Sequence, residues 1–334
     1  MTRVSIIIPC YNAERYVRET IESALSQTRP ADEILVIDDG STDRSVEVAA
    51  SFGDSVQVIR QSNGGSSVAR NKGIEHATGD YLLFLDADDL IDPRTIEVQL
   101  AAVQGVSNGV GLMGGAWFTE DPEQTTHTQL PPERGFFPDI IQGNLGLMHA
   151  WFVPREMMRK VGGFRPGLVM FEDWECWCRL GLCGANLVPV PLVGALYRRH
   201  PTSLMASADP ERLVRGHVAV METLGRGIVA NPQLLQQCAN QIFWSACVAL
   251  ERAQRNAVAW SELKALGSII EQVVRRSPQV VRDSRYALLV RLVGLRWATR
   301  LRRLALRRNE QADDFRRRHL QDAASRSQTV RPKV

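Results

Sequence analysis

The segment Tyr81-Leu-Leu-Phe-Leu-Asp86-Ala-Asp88-Asp89 decides the fold, because an apolar run ends abruptly in three carboxylates. The apolar run is typical of a buried strand. Open α/β sheets bind ligands just beyond the carboxyl ends of their strands, and a hard divalent cation on phosphate oxygens needs only one or two protein carboxylates. The segment therefore suggests a site for a metal ion and a diphosphate. The alternative is a plain strand followed by a helix that opens at Asp92 and Pro93.

The residues on both sides of this segment alternate between strand and helix patterns. Strands are predicted at 4–9, 33–38, 56–60, 81–86, 109–119, 145–154 and 186–199, and the last stretch is one or two strands broken by Pro189 and Pro191. Helices are predicted at 14–27, after 41–43, at 66–77 and at 172–182. This alternation predicts an α/β fold with a mostly parallel sheet and helices on both faces.

The chain changes character after Pro201 and becomes helical, with helices predicted at about 211–230, 233–256, 260–276 and 284–309. We therefore predict three parts: an α/β catalytic domain over 1–205, a helical region over 206–310 and a basic, disordered tail over 311–334.

The formal net charge of +3 conceals an asymmetry, because residues 275–334 hold 17 Lys and Arg against 5 Asp and Glu. A helix over 290–307 would carry an arginine face of Arg296, Arg300, Arg303 and Arg307 beside an apolar face. Such a helix resembles one that lies on an anionic membrane, and the alternative is a helix packed on the protein body. We expect no nucleic-acid partner, because stacking aromatics are not interleaved with the basic residues.

The location of the protein is predicted from three features of the sequence. No run of eighteen apolar residues predicts a transmembrane helix, and the amino terminus enters a strand without a signal-peptide pattern. The six cysteines lack the spacing of disulfide or zinc sites. We expect a cytoplasmic protein, with peripheral membrane contact as the further expectation for the basic helix.

Five segments, in this order and spacing, resemble the motifs of glycosyltransferase family 2. They are 4–14, 37–43, 69–73, 86–89 and 171–174. The resemblance spans about residues 4–200 and implies the GT-A fold, a Rossmann-like α/β architecture. It implies inverting transfer of a single sugar from a nucleotide diphosphate donor, most simply a UDP-sugar, with Mn²⁺ or Mg²⁺ as cofactor. The implied acceptor is a hydroxyl of a glycan or lipid-linked intermediate in cell-envelope polysaccharide synthesis.

The resemblance also implies a role for individual residues. The nucleotide-sugar site would be lined by Pro9, Tyr11, Glu14, Asp39, Arg70 and Asp86. Asp88 would be the direct metal ligand, with His200 as a further ligand or a diphosphate contact. Asp173 would be the general base, and Glu172 and Trp174 would contact the acceptor.

Structural roles stay open for the same residues. They are a turn position for Tyr11 or Asp39, a first-turn helix acid for Glu14, Glu172 or Asp173, an exposed helix position for Arg70, a core position for Trp174 and a structural role for His200. Two alternative functions also stay open, a nucleotide-sugar-binding module without catalysis and a scaffold. A processive synthase is not favoured, because Val293 stands where the Gln of the Gln-x-x-Arg-Trp motif would precede Arg296-Trp297.

Overall fold

The computed structural model describes residues 2–133, 135–201, 209–259, 261–295 and 298–299. These residues form two compact units, one that ends at Leu266 and one that begins at Gly267. The predicted boundary near residue 205, the arginine face beyond Val293 and the predicted tail lie outside the described residues and stay predictions.

One mixed sheet runs through the first unit. Its strands in the described residues are β1 (Val4–Cys10), β2 (Glu33–Asp38), β3 (Gln57–Arg60), β4 (Tyr81–Phe84), β5 (Leu90–Ile91), β6 (Gly109–Phe118), β7 (His127–Gln129), β8 (Trp151–Pro154) and β9 (Asn186–Arg198). The strand order is β3-β2-β1-β4-β8-β6-β9-β5, and β7 pairs with β6.

The predicted parallel arrangement holds for β3-β2-β1-β4, and β6 is parallel to β9. The prediction is incomplete for β8, which is antiparallel to both of its neighbours, β4 and β6. A parallel neighbour needs a crossover connection, usually a helix. The described chain between β6 and β8 holds β7 and two 3₁₀ turns but no α-helix, so β8 returns in the opposite direction.

The helices surround this sheet or follow it in sequence. They are α1 (Val17–Leu25), α2 (Ser45–Ala50), α3 (Ser66–His76), α4 (Thr95–Val103), α5 (Arg155–Val161), α6 (Glu172–Leu182), α7 (Pro210–Ala230), α8 (Pro232–Arg255), α9 (Lys264–Arg276), α10 (Pro278–Asp283) and α11 (Arg285–Val293). Within the described residues, none of them has both the length and the apolar character needed to cross a bilayer.

Three predicted elements differ from the structure. The strand predicted from residue 145 begins only at Trp151, after a 3₁₀ turn at Met148–Ala150. The predicted break at Pro189 and Pro191 is absent from β9, which continues through both prolines and shifts register against β6. Such irregular places are where a strand tolerates proline. The helix predicted from 284 ends at Val293, before Gly294 with φ +77°.

The sheet core explains the unbroken apolar runs in the sequence. All seven residues of β1 are buried, as expected for a parallel strand covered on both faces. An aromatic cluster of Trp151, Trp177 and Phe164 packs where β8 meets α6, with the two tryptophan rings 4.8 Å apart. This packing fixes α6, and therefore the acidic residues at its amino end.

Helix α3 approaches β1 so closely at Gly73 that a side chain would collide with the core. A Cβ at Gly73 would lie 2.3 Å from Cγ2 of the fully buried Ile7. We expect Gly73→Val to lower the free energy of unfolding by about 2–3 kcal/mol through overpacking, as measured by urea denaturation. The matched control is Gly143→Val, because a Cβ at Gly143 meets nothing within 4 Å. Equal stability of the two variants would contradict the prediction.

Candidate functional site

One edge of the sheet collects the polar residues that the sequence singles out. β6 runs in the same direction as β4, because both are antiparallel to β8, and β9 follows β6. The carboxyl ends of β1, β2, β4, β6 and β9 therefore share one edge, the position at which open α/β sheets bind ligands.

The loop after β1 begins at this edge. Tyr11 follows the strand directly and is 52% exposed, so its ring is accessible for stacking. The strand continues one residue beyond the predicted end at Pro9, which is buried and pairs with Ile37. Glu14 accepts a hydrogen bond from the backbone N–H of Arg44 at 3.0 Å. Glu14 thus joins this loop to the start of α2.

Asp39 follows β2 and is almost fully buried. Its Oδ1 accepts from Gln61 Nε2 at 2.7 Å and from Gly64 N at 2.8 Å, and its Oδ2 accepts from Gly65 N at 2.7 Å. Asp39 therefore holds the loop that leads into α3. Its second oxygen keeps capacity for one more donor, since a carboxylate oxygen accepts two hydrogen bonds.

Arg70 on α3 joins two carboxylates from distant parts of the chain. Its Nη2 lies 2.7 Å from Asp86 Oδ1 and its Nη1 lies 3.0 Å from Glu172 Oε1. The Arg70 side chain is only 5% exposed, and these two charges keep the pKa of its guanidinium above the usual value. The alternative of an exposed helix arginine is therefore wrong.

The acidic segment after β4 is a turn. The strand ends at Phe84, and Asp89 N donates to Asp86 O at 3.0 Å. In an extended strand the side chains of Asp86 and Asp88 would point the same way, but the turn separates them. Asp86 faces Arg70, whereas Asp88 Oδ2 lies 2.9 Å from Nε2 of His200.

Asp89, beneath this turn, is a residue whose role the sequence did not define. It is fully buried, accepts from Arg198 N at 2.8 Å, and lies 3.3 Å from Nδ1 of the buried His149. Burial raises the pKa of Asp89 well above its usual value and lowers that of His149 to about 4. Asp89 thus anchors the acidic turn to the end of β9.

Asp173 lies at the amino end of α6, next to Glu172 and its ion pair with Arg70. Its Oδ2 accepts from Asn144 Nδ2 at 2.6 Å, and its Oδ1 accepts from Trp174 N at 2.6 Å. Burial and the adjacent charge of Glu172 raise the pKa of Asp173 to about 7, although these hydrogen bonds and Arg70 act in the opposite direction. Asn144 was missed, because no local motif distinguishes a loop asparagine.

Trp174 belongs to the core rather than to an exposed surface that an acceptor could contact. The residue is 5% exposed, its Nε1 donates to Ile140 O at 2.8 Å, and its ring stacks on His217 of α7. Helix α7 also supports α6 through Thr223, whose hydroxyl donates to Glu175 at 2.8 Å. The burial of Trp174 favours the packing role over an acceptor contact.

Asp88 and His200 form the donor pair that could hold a divalent cation. Within the described ranges, no group of three or more His, Cys, Asp or Glu side chains is arranged for a metal ion. One carboxylate fits a hard cation whose other ligands are phosphate oxygens and water, which is how Mg²⁺ is commonly bound with nucleotides, and the His200 imidazole offers one further nitrogen donor. The residues present are thus compatible with the Mn²⁺ or Mg²⁺ that the sequence predicts.

Comparison with known proteins identifies a family match for the part of the chain that contains β1 to β8. The model of Glycosyl transferase family 2 matches residues 5–160. The chain is 39% identical over 135 residues to the uncharacterized glycosyltransferase YibD of Escherichia coli, covering 40% of this chain and 39% of that protein. It is 33% identical over 179 residues to EpsJ of Bacillus subtilis, covering 51% and 52%. It is 32% identical over 181 residues to the uncharacterized glycosyltransferase RT0329 of Rickettsia typhi, covering 52% of this chain and 57% of that protein. The chain thus spans less than two thirds of each of these relatives.

Solved structures show the same fold. Staphylococcus aureus TarS 1-349 in complex with UDP-GlcNAc has a TM-score of 0.63 at 20% identity, with 84% of this chain and 83% of that chain covered. A second structure of TarS 1-349 has a TM-score of 0.60. Residues 5–160 thus match the model of Glycosyl transferase family 2, and the fold is the predicted GT-A architecture.

Proposed function

We propose that the protein transfers a single sugar from a nucleotide diphosphate donor to an acceptor hydroxyl, with inversion at the anomeric carbon. The supporting observation is the buried ion-pair network of Arg70. It joins Asp86, which follows β4, to Glu172, which precedes Asp173. Residues suited to a charged donor and a residue suited to base catalysis therefore belong to one connected group at the binding edge of the sheet.

Asp173 is proposed as the general base. An inverting transfer needs one base that takes the proton of the acceptor hydroxyl while its oxygen attacks the anomeric carbon. A pKa of about 7 is suited to this work near neutral pH, because the carboxylate is then both available and sufficiently basic. Asn144 and the N–H of Trp174 hold the carboxylate in one orientation.

The donor is proposed to be a UDP-sugar bound along the ends of β1, β2 and β4. The exposed ring of Tyr11 offers a stacking surface for the base, and the remaining capacity of Asp39 Oδ2 suits a base N–H. Asp88 and His200 would hold Mn²⁺ or Mg²⁺. When bound, such a cation neutralises charge on the leaving diphosphate. That TarS 1-349 was crystallised with UDP-GlcNAc supports this donor class.

The acceptor is proposed to be a glycan or lipid-linked intermediate of cell-envelope polysaccharide synthesis, and the reaction to take place on the cytoplasmic side. This part of the proposal depends on the family resemblance. The predicted membrane contact of the basic helix lies in residues outside those described.

A donor panel tests the proposal. We expect one of the UDP-, GDP-, dTDP- or ADP-sugars to bind in calorimetry and to release its nucleotide slowly in the presence of Mn²⁺ or Mg²⁺. Asp88→Asn should abolish the metal-dependent release, because an amide is a poor cation ligand. The control is Asp54→Asn, an exposed residue that precedes β3 and so lies at the opposite edge of the sheet.

The possible outcomes separate the alternatives. Binding without release, even with a broad set of acceptors, would favour a nucleotide-sugar-binding module over an enzyme. No binding of any donor would overturn the proposal.

A further inference from the structure

Three aromatic rings form a row across neighbouring strands at the binding edge of the sheet. Trp117 on β6 is directly paired with His127 on β7 and with Tyr197 on β9. Directly opposed residues project from the same face of a sheet. The Trp117 ring accordingly lies 4.8 Å from that of His127 and 6.3 Å from that of Tyr197. His127 is exposed, and the other two residues are half-buried.

This aromatic row lies on the face of the sheet that carries the proposed base. Gly115 precedes Trp117 by two residues and has the same facing, and a Cβ there would meet the Leu147 side chain at 2.6 Å. Gln129, the partner of Gly115 on β7, donates to Asn144 O at 3.4 Å. Asn144 in turn donates to Asp173. The loop that contains Asn144 and Leu147, and that hydrogen-bonds Asp173, therefore covers the same face of the sheet at the Gly115–Gln129 pair. This pair is two residues, or about 7 Å, from the aromatic row.

The other end of the row leads to the donor side. Tyr197 is three residues before His200, whose Nε2 lies 2.9 Å from Asp88 Oδ2. The aromatic row is thus connected on the β7 side, through Gln129 and Asn144, with Asp173, the proposed base. On the β9 side it is connected with the Asp88–His200 pair, which is proposed to hold the leaving diphosphate. An acceptor hydroxyl has to lie within hydrogen-bond reach of Asp173 while it attacks the donor.

We propose that the aromatic row of Trp117, His127 and Tyr197 is the acceptor subsite and that it binds a pyranose ring by stacking; this inference rests on the proposed function. An aromatic face carries negative charge density, and the C–H groups on one face of a pyranose are weakly positive. The polar edge of the exposed His127 can hydrogen-bond the sugar hydroxyls. A saccharide acceptor is therefore favoured over a protein or a simple lipid acceptor.

The test uses saturation-transfer NMR on the full chain in the presence of excess UDP. The probes are the methyl pyranosides of glucose, galactose, mannose and N-acetylglucosamine, with sorbitol as an open-chain control. We expect transfer to at least one pyranoside and none to sorbitol. Trp117→Ala should weaken the binding on the order of five- to tenfold, whereas Trp117→Phe should retain most of it.

Two further variants separate stacking from misfolding. His127→Ala removes an exposed ring and should weaken pyranoside binding about twofold without disturbing the core. Trp244→Ala removes a tryptophan that is 42% exposed on α8 and should leave the binding unchanged. Pyranoside transfer that is absent from the wild type, or equal in Trp117→Ala, would overturn the acceptor subsite. Calorimetric binding of UDP tests the donor side separately, so a failure of the subsite is distinguishable from a failure of the proposed function.

Discussion

Asp173→Asn is expected to lower the rate of nucleotide release roughly 10²–10⁴-fold while leaving donor affinity within about twofold. The substitution keeps the shape of the side chain but replaces the basic carboxylate by an amide, which does not take up a proton near neutral pH. In the part of the chain that the structure describes, the hydrogen bonds of Asp173 run to Asn144 and Trp174 and not to the Asp88–His200 pair. The rate is measured as nucleotide release with water as the acceptor, a slow reaction that needs no added acceptor. Donor affinity is measured by calorimetry.

The pH dependence of the wild-type rate provides an independent check. The base must be deprotonated, so the rate should fall about tenfold per pH unit below a pKa near 7 and become constant above it. Glu172→Gln removes the negative charge that helps to raise this pKa, so the profile should shift toward lower pH. The charge of Arg70 acts in the opposite direction and does not titrate in this range. A rate that is independent of pH between 5 and 8, or an active Asp173→Asn variant, would exclude Asp173 as the base.

The parts of the fold that the sequence predicts well are those set by local pattern. The strand at Glu33–Asp38 and the helix at Glu172–Leu182 have the predicted bounds, because an apolar run and an acidic helix start are local signals. The direction of β8 is not a local property. It follows from the absence of a helical crossover in the described chain that precedes it, and its short apolar run fits either direction.

The candidate site shows the same limit. The residues that cluster at the edge of the sheet are those that follow the carboxyl ends of its strands. The sequence predicted this cluster, because strand ends can be recognised from local pattern. Which of them pair depends on backbone detail: the turn at Asp86–Asp89 sends Asp86 to Arg70 and Asp88 to His200. The partners Asn144 and His149 come from segments without a recognisable motif. Such contacts are tertiary and leave no periodic trace in the sequence.

Arg70→Met is expected to lower the free energy of unfolding by about 3 kcal/mol and to abolish donor turnover. Removing the guanidinium leaves Glu172, whose side chain is 10% exposed, without its partner cation. Asp86 loses the same partner, but it is 29% exposed, so water solvates its charge in part. We therefore expect a loss of stability at the lower end of the range for a broken buried ion pair. Urea denaturation measures the stability, with Arg44→Ala as the control. The Arg44–Glu47 pair is 72% and 67% exposed, so solvent screens it and its removal should leave the stability almost unchanged.

A triple variant distinguishes the structural role of the Arg70 network from its functional role. Arg70→Met combined with Glu172→Gln and Asp86→Asn removes all three charges, so no uncompensated carboxylate remains, and most of the lost stability should return. Turnover should stay abolished, because Arg70, Asp86 on the donor side and Glu172 beside Asp173 have all lost their charges. If the single variant unfolds like the wild type, the network does not hold α3, β4 and α6 together. If the triple variant regains turnover, the network is scaffolding alone, and the donor must be held by Tyr11, Asp39 and the Asp88–His200 pair.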